Sequence, residues 1–332
     1  MPTHHIFFIA FFIFIGVMLA LDLGVFHKKD HVIGIKEAGL WTGIWIALAM
    51  LFAVLIRFHA EWIHGLSAAD FPSFEALNAY RKEMANQFLA GYFIEESLSI
   101  DNIFVMIMIF VSFGIDKKYY HRVLFWGILG AIVLRFVFIF ALGALVTKFS
   151  WVLAVFGVVL IYSGIKMFRD KGDEKIDTQN HPVVRFASKH FRATPQLDGH
   201  NFFTKIDGRT FITPLFIVLL VIEFSDIIFA VDSIPAVFSV STDTIIVYTS
   251  NIFAIMGLRS LFFLLSDIAD RFWLLHYGLG VLLCFIGLKM ITHEFFGLEI
   301  STVASLCVIL GILVFSILLS LLIKKEKPAG VE

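Results

Sequence analysis

The sequence predicts an all-α integral membrane protein with about nine transmembrane helices, six of which form two inverted three-helix repeats. Of the 332 residues, 59% are hydrophobic and 16% are charged, whereas a soluble domain contains about half apolar and about a quarter charged residues. The apolar residues lie in long blocks, and a block of about 18 or more predicts a helix that spans a bilayer. Short motifs also recur in the two halves of the chain, which predicts the repeat.

Nine apolar blocks are long enough to be spans: 6–25, 39–57, 88–112, 123–147, 151–168, 211–235, 245–266, 274–291 and 301–323. The first is a span rather than a signal peptide, because Lys28 and Lys29 follow it, no Lys or Arg precedes it, and no small-residue cleavage site ends it. The spans divide the chain into five predicted segments: an N-terminal two-helix segment 1–87, a first three-helix repeat 88–168, a cytoplasmic loop 169–210, a second three-helix repeat 211–291, and a C-terminal helix with a cytoplasmic tail 292–332.

The distribution of Lys and Arg predicts the orientation in the membrane. If the N-terminus lies outside, the inner segments contain eighteen of these residues and the outer segments contain four. An odd number of spans then places the C-terminus in the cytoplasm.

The loop 169–210 contains one predicted helix. Within 182–192, Val184, Ala187 and Phe191 recur at helical spacing among basic residues. Two interpretations stay open: a helix at the surface of anionic lipid, and a loop helix packed on the transmembrane bundle.

The repeat rests on motifs that the two halves share at nearly constant offsets. The pair LR at 134–135 matches LR at 258–259, and GIKM at 164–167 matches GLKM at 287–290. Each copy holds three spans, an odd number, so the copies must face opposite ways in the membrane. Inverted repeats with a binding site at their interface are a common plan of transporters.

Carboxylic acids lie deep in one predicted span of each repeat. Asp101 is the fourteenth residue of the 25-residue third span, near the bilayer centre. In the sixth span, Glu223 and Asp226 are again deep, and Asp232 follows. One repeat register aligns Glu95 and Asp101 with Asp226 and Asp232, and a rival register pairs Asp101 with Asp226; both stay open.

These acids are costly to bury. Six carboxyl groups in the two spans would cost roughly 15–20 kcal/mol, at ~2.5–3.5 kcal/mol each on insertion scales. Arg135 and Arg259 are the only deep cations, and we expect each to neutralise one carboxylate, which leaves up to four uncompensated. Protons or metal ions can offset the remainder. A structural polar network is the alternative, but intramembrane acids indicate function by default.

A straight helix does not bring all these acids to one face, because Glu95 and Asp101 are six residues apart. Pro235 removes a backbone hydrogen bond near Asp232, so a broken helix lining a cavity could gather carboxylate, hydroxyl and carbonyl oxygens. No His or Cys lies near the acids in the sequence, and no histidine is assigned to a metal. An all-oxygen ligand set suits Mg²⁺, Ca²⁺ or Mn²⁺.

The acidic segments FIEESLSIDNIFV and VIEFSDIIFAVDSIPAVF resemble the signature segments of the TerC family of bacterial membrane proteins, particularly its Alx-like members. LALDLGVF, TSNIFAIMGLRSLFFLL and YGLGVLLCFIGLKM are also similar to that family, so the resemblance covers nearly the whole chain. It implies a location in the bacterial cytoplasmic (inner) membrane, an association with tellurium resistance, and manganese export. The metal ligands that it implies are Glu95, Ser97, Asp101 and Asn102 in the third span and Glu223, Asp226, Asp232 and Ser233 in the sixth.

The residues and the resemblance together favour a transporter that exports a divalent cation, with Mn²⁺ as the favoured ion, through carboxylates at the repeat interface. Exchange for protons stays open, since carboxylates bind either. We expect no permanently bound cofactor, because the divalent ion is the cargo. The expected partners are the lipid bilayer, a second copy of the chain or other membrane proteins. A net charge of −1 gives no indication of nucleic-acid binding.

An alternative of another class is a partner in the assembly, insertion or metallation of other membrane proteins, without transport of its own. The loop 169–210 could then be a docking element. An enzyme is not expected. An intramembrane aspartyl protease needs a GxGD segment, and here the GLG at 278–280 is followed by Val281.

Overall fold

The computed structural model describes residues 3–26, 34–149, 151–169, 182–266, 274–298 and 300–323. Its α-helices are α1 Thr3–Phe26, α2 Ile35–His59, α3 Phe74–Ser112, α4 Lys117–Lys148, α5 Val152–Arg169, α6 Pro182–His190, α7 Pro214–Phe238, α8 Thr244–Ser266, α9 Leu275–Phe296 and α10 Thr302–Leu322. Two 3-10 helices, Ala60–His64 and Ala68–Asp70, and one hairpin of β1 Phe203–Ile206 and β2 Arg209–Ile212 complete the described elements. The prediction of an all-α, multi-pass integral membrane protein is confirmed.

Each of the nine predicted spans coincides with one of these helices. α6 and β1 lie in the predicted loop 169–210, and β2 extends two residues into the predicted sixth span. In the described part of the chain, seven helices (α2, α4, α5 and α7–α10) are long and apolar enough to cross a membrane. The described apolar part of α1 is the shorter stretch Phe7–Met18. α3 is not among these seven helices because it carries charged side chains. The same charged side chains make α3 a candidate functional helix.

Among the helix boundaries that differ from the prediction, two concern the acidic helices. α3 begins at Phe74 rather than near residue 88, because Ser73 caps it by accepting a hydrogen bond from the Ala76 amide at 3.1 Å. α7 continues through Pro235 to Phe238. The predicted broken helix is therefore wrong: Pro235 lies in the last turn of α7, where the buried residues around it hold the backbone in place.

α8 lies at the centre of the bundle and is almost wholly buried. α2, α3 and α4 pack against it, and α7 packs against both α3 and α4. The two acidic helices, α3 and α7, therefore contact each other as well as the helices that carry Arg135 and Arg259.

α5 and α9 cross in antiparallel fashion through glycines. Gly157 lies against Gly287 and Gly164 lies against Gly280, so the residue numbers rise in one helix as they fall in the other. A Cβ atom at Gly164 would lie 2.6 Å from the carbonyl oxygen of Gly280. An inverted repeat predicts such a contact between the third helix of one copy and the third helix of the other. The exact register of the repeat stays a prediction.

The loop after α5 folds back onto the bundle. Ala187 of α6 is buried with Ile212 and Ile217, so α6 packs on α7 as one of the two interpretations predicted. The hairpin was not predicted. Its turn has positive φ at Asp207 and Gly208, 49° and 72°, and Asp-Gly is a typical sequence for such a turn.

Candidate functional site

Arg135 of α4 lies at the centre of the acidic residues and is fully buried. Its Nε donates to Oδ2 of Asp226 at 3.3 Å, and its Nη2 donates to Oδ1 of the same carboxylate at 2.9 Å. Its Nη1 donates to Oε1 of Glu95 and, at 3.3 Å, to Oδ1 of Asn251. Side chains of α3, α4, α7 and α8 thus meet at one guanidinium, which we call the arginine cluster: Glu95, Arg135, Asp226 and Asn251.

This geometry confirms the expectation that Arg135 neutralises a carboxylate. Hydrogen bonds between ionised partners are about twice as strong as neutral ones, and a two-pronged arginine contact also fixes the orientation of the carboxylate. Arg259, the matching residue of the second half, is also buried, and its Nη1 lies 3.3 Å from Nε2 of His121. That it neutralises a carboxylate stays a prediction.

Glu223 lies one turn before Asp226 on α7 and shares its face. Its Oε2 is buried and has no hydrogen-bond partner within the described structure, and the same holds for Oε2 of Glu95. Glu223, Asp226 and Arg135 line a cavity of about 10 Å³ between α4, α7 and α8, which is about the room that one water molecule needs. The Glu223 carboxylate lies against Gly130, where any side chain would collide with it.

Asp101 points to a different neighbour. Its Oδ1 lies 3.0 Å from Nδ1 of His276 at the start of α9, and Nε2 of that ring lies 3.1 Å from the carbonyl oxygen of Met167 in α5. The side chains of Asp101 and His276 are 25% and 28% exposed. No histidine lies near the acids in the sequence, but the fold brings His276 to Asp101 from another span, so the ligand groups around the acids are not all oxygen.

The remaining predicted ligands lie outside the arginine cluster. Asp232 accepts a hydrogen bond from Oγ of Ser163 in α5 at 3.0 Å. Ser97 donates to a carbonyl of its own helix. Nδ2 of Asn102 and Oγ of Ser233 are buried, and neither has a hydrogen-bond partner among the residues that the structure describes.

The eight predicted ligands thus fall into separate groups rather than one site. Six helical residues span about 9 Å along the axis, and the continuous α3 and α7 keep Glu95 and Asp101, and Asp226 and Asp232, that far apart. Across the described ranges, no group of three or more His, Cys, Asp or Glu side chains could hold a metal ion. Their assignment as ligands stays a prediction.

Three residues of these groups were not predicted: Asn251, Ser163 and His276. For Asn251 a signal existed, because it ends the polar run TSN at 249–251 inside an apolar span, and all three side chains are buried. The other two carry no local signal, since each acts only through a partner on a distant helix.

A second, open cavity of about 430 Å³ lies where α3 and α5 begin and α7 and α9 end. Its lining includes charged and polar side chains as well as apolar ones. Glu83 accepts hydrogen bonds from Oγ1 of Thr302 at 2.7 Å and from Nε2 of Gln87 at 3.1 Å, and Gln87 accepts one from Oγ of Ser241 at 2.6 Å. Lys289 is also part of the lining. We call this space the polar vestibule.

Comparison with known proteins places these features in a family. The profile of the "Integral membrane protein TerC family" matches residues 80–328. An "Uncharacterized membrane protein STKORF319" of Myxococcus xanthus is 44% identical over 321 residues, which cover 97% of this chain and 93% of that protein. A protein of Escherichia coli K12 named "Putative membrane-bound redox modulator Alx" is 40% identical over 312 residues, covering 94% and 92% of the two chains. No solved structure matches the chain.

Proposed function

The chain belongs to the TerC family of integral membrane proteins, and on that premise we propose that it exports a divalent metal cation from the cytoplasm, with Mn²⁺ as the preferred ion. The protein would lie in the bacterial inner membrane with its N-terminus outside, as the Lys and Arg distribution favours. The ion would pass through the carboxylates between α3 and α7.

The observation that carries this proposal is the state of Glu223. One guanidinium serves Glu95 and Asp226, and Glu223 lies beside them with a buried carboxylate oxygen that has no partner in the described part of the chain. A buried carboxylate without a counter-charge is unfavourable by several kcal/mol or more. A cation that enters the cavity beside Glu223 and Asp226 removes that cost, and Glu223 is therefore our leading candidate for its first ligand.

The chemistry of the donors suits the ion class. Glu223, Asp226 and Glu95 offer carboxylate oxygens, and Asn251 offers an amide oxygen. Oxygen ligands of this kind suit Mn²⁺, Mg²⁺ and Ca²⁺. The same carboxylates bind protons when the metal leaves, which makes proton exchange a natural coupling for this site.

Polar groups along the bundle outline a route. On α3, Glu83 lines the polar vestibule, Glu95 lies in the arginine cluster, and Asp101 lies further along the same helix. His276 and Met167 lie at the ends of α9 and α5 that are opposite to the vestibule. An ion that enters near Asp101 and leaves by the vestibule would thus pass the arginine cluster midway.

The test is Mn²⁺ flux in proteoliposomes that contain the purified chain and no other protein. The wild type should move Mn²⁺, and Glu223→Gln should reduce the rate to that of protein-free liposomes. This variant is sharper than Asp226→Asn, because it removes a charge without removing a hydrogen bond that the structure shows. The matched control is Glu75→Gln at the exposed first turn of α3, which should transport like the wild type.

Flux by Glu223→Gln at the wild-type rate would contradict the assignment of that residue. Absence of flux from the wild type, in preparations that remain folded, would contradict autonomous transport. That second result would favour the alternative of a partner in the assembly or metallation of other membrane proteins.

A further inference from the structure

The ring of His276 is held from both sides. Nε2 lies 3.1 Å from the carbonyl oxygen of Met167, and Nδ1 lies 3.0 Å from Oδ1 of Asp101. A backbone carbonyl can only accept a hydrogen bond. Nε2 therefore carries the hydrogen and donates it to Met167, which fixes the orientation of the ring.

This orientation leaves two acceptors facing each other. In the neutral ring, Nδ1 presents a lone pair once Nε2 carries the hydrogen. Nδ1 then lies 3.0 Å from a carboxylate oxygen of Asp101. Two acceptors at this distance repel unless a positive charge joins them. The candidates are a proton on the line between the two atoms and a metal ion to one side of that line.

The separation fits two neighbouring ligands of one octahedral metal ion. Metal–nitrogen and metal–oxygen bonds of about 2.1 Å at a right angle place the two ligand atoms about 3.0 Å apart, whereas tetrahedral ligands with the same bonds lie about 3.4 Å apart. The observed distance from Nδ1 to Oδ1 is 3.0 Å. The two atoms are thus spaced as neighbouring ligands of a six-coordinate ion, a distance that a hydrogen bond between them also has.

The surroundings supply the other features of such a site. A histidine that binds a metal usually donates its second N–H to a carbonyl or carboxylate, and Met167 provides that acceptor. Met167 lies in the last turn of α5, whose C-terminal end carries partial negative charge. Asp101 and His276 are each about one quarter exposed, so water molecules can complete the coordination.

We propose that Asp101 and His276 form a separate binding site for a six-coordinate transition-metal ion, with Nδ1 of the imidazole as a ligand. An imidazole ligand favours first-row transition metals over Mg²⁺ and Ca²⁺. The site therefore provides a selectivity that the all-oxygen arginine cluster lacks. Only its role as the entry point of an export route rests on the proposed function; metal binding there does not.

The test is pulsed electron paramagnetic resonance of Mn²⁺ bound to the purified full chain in detergent. Nitrogen from a coordinated imidazole gives a characteristic modulation of the signal. The wild type should show it, and His276→Gln should lose it together with at least about tenfold in Mn²⁺ affinity, since even outer-shell changes cost about 10–100-fold. The matched control is His190→Gln, at the exposed end of α6, which should keep the nitrogen signal.

A second variant tests the site if His276→Gln fails to fold. Asp101→Asn keeps a side chain of the same size and should also weaken Mn²⁺ binding at this site. Three results would overturn the proposal: Mn²⁺ bound by oxygen ligands alone in the wild type, a nitrogen signal that survives in His276→Gln, or no Mn²⁺ binding, which would leave a proton as the occupant.

Measuring both the nitrogen signal and Mn²⁺ flux on the same purified protein distinguishes the metal site from the export proposal. A nitrogen signal without Mn²⁺ flux in proteoliposomes would contradict the export proposal and leave this site standing. Mn²⁺ flux without a nitrogen signal would contradict the site at Asp101 and His276 and leave the export proposal standing.

Discussion

Arg135 binds Asp226 through two hydrogen bonds, from Nε at 3.3 Å and from Nη2 at 2.9 Å, although the two residues lie on α4 and α7 in different predicted repeats. The same guanidinium also binds Glu95 of α3. One cation therefore joins helices of both halves at the level of the buried acids. Substitution of this arginine should therefore reduce the stability of the protein.

Arg135→Gln should strongly destabilise the protein. The variant leaves the buried carboxylates of Glu95 and Asp226 without a counter-charge, and breaking one partner of a buried pair costs about 3–5 kcal/mol. Chemical unfolding in detergent measures the loss. Arg209→Gln, at the exposed first residue of β2, is the control, and a loss as small as that of the control would show that the cluster contributes nothing to stability.

Gly287→Ala should separate α5 from α9. Its Cβ would collide with the carbonyl oxygen of Gly157, a backbone atom that cannot move away by rotating a side chain. Overpacking of this kind costs about 1–3 kcal/mol, measurable as a lower midpoint of thermal unfolding. Gly311→Ala in α10 has no neighbour within 4 Å and should leave the midpoint unchanged or raise it.

Gly130→Ala should impair transport with little loss of stability. The new methyl group would occupy the place of the Glu223 carboxylate, which lies at the end of a flexible side chain and can turn away. Mn²⁺ flux in proteoliposomes should therefore fall while the unfolding midpoint stays near that of the wild type. Gly43→Ala has open space around it and is the control. Unchanged flux in Gly130→Ala would show that the position of Glu223 is irrelevant to transport.

Asp243 should make stability depend on pH in acid. Burial raises the pKa of Asp243, but hydrogen bonds from His64 and from the amides of Ile245 and Ile246 outweigh burial and lower the pKa below its ordinary value of 3.8. The stabilisation is present above pH 3.8 and is lost as the pH falls through the lower pKa of the folded state.

The measurement is the unfolding midpoint in detergent between about pH 5 and pH 3, where an ordinary Asp titrates. Wild type should lose stability more steeply than Asp243→Asn, because the Asn side chain still caps α8 but carries no charge to protonate. Asp198→Asn, at an exposed position of the loop, should follow the wild-type curve. Parallel curves for Asp243→Asn and wild type would contradict the expectation.

The fold was predictable because hydrophobicity is a local signal. The apolar blocks predicted a helix for every span, and the shared GIKM and GLKM motifs predicted an inverted repeat, with which the antiparallel contact of α5 and α9 agrees. The start of α3 was missed because its first turns are polar and only the cap at Ser73 marks them. The hairpin was missed although Asp207-Gly208 was a readable turn signal.

The candidate site was predictable in kind but not in pairing. An excess of buried acids over arginines followed from the sequence, and the contact of Arg135 with carboxylates agrees with it. The sequence did not show which carboxylates Arg135 contacts, because its partners Glu95 and Asp226 are 40 and 91 residues away in the chain and reach it only through helix packing. His276 lies 175 residues from Asp101, and no local pattern links them.

The arginine within the acidic cluster also bears on how membrane voltage would act on a carrier of this design. A guanidinium stays protonated, so Arg135 leaves the pair of Glu95 and Asp226 with one net negative charge, and a divalent ion would reverse its sign. An inside-negative potential opposes outward movement of a positive complex by about 2.3 kcal/mol per charge per 100 mV. An ionised Glu223 beside the ion would cancel that charge, and the loaded carrier could then cross the field without electrical work.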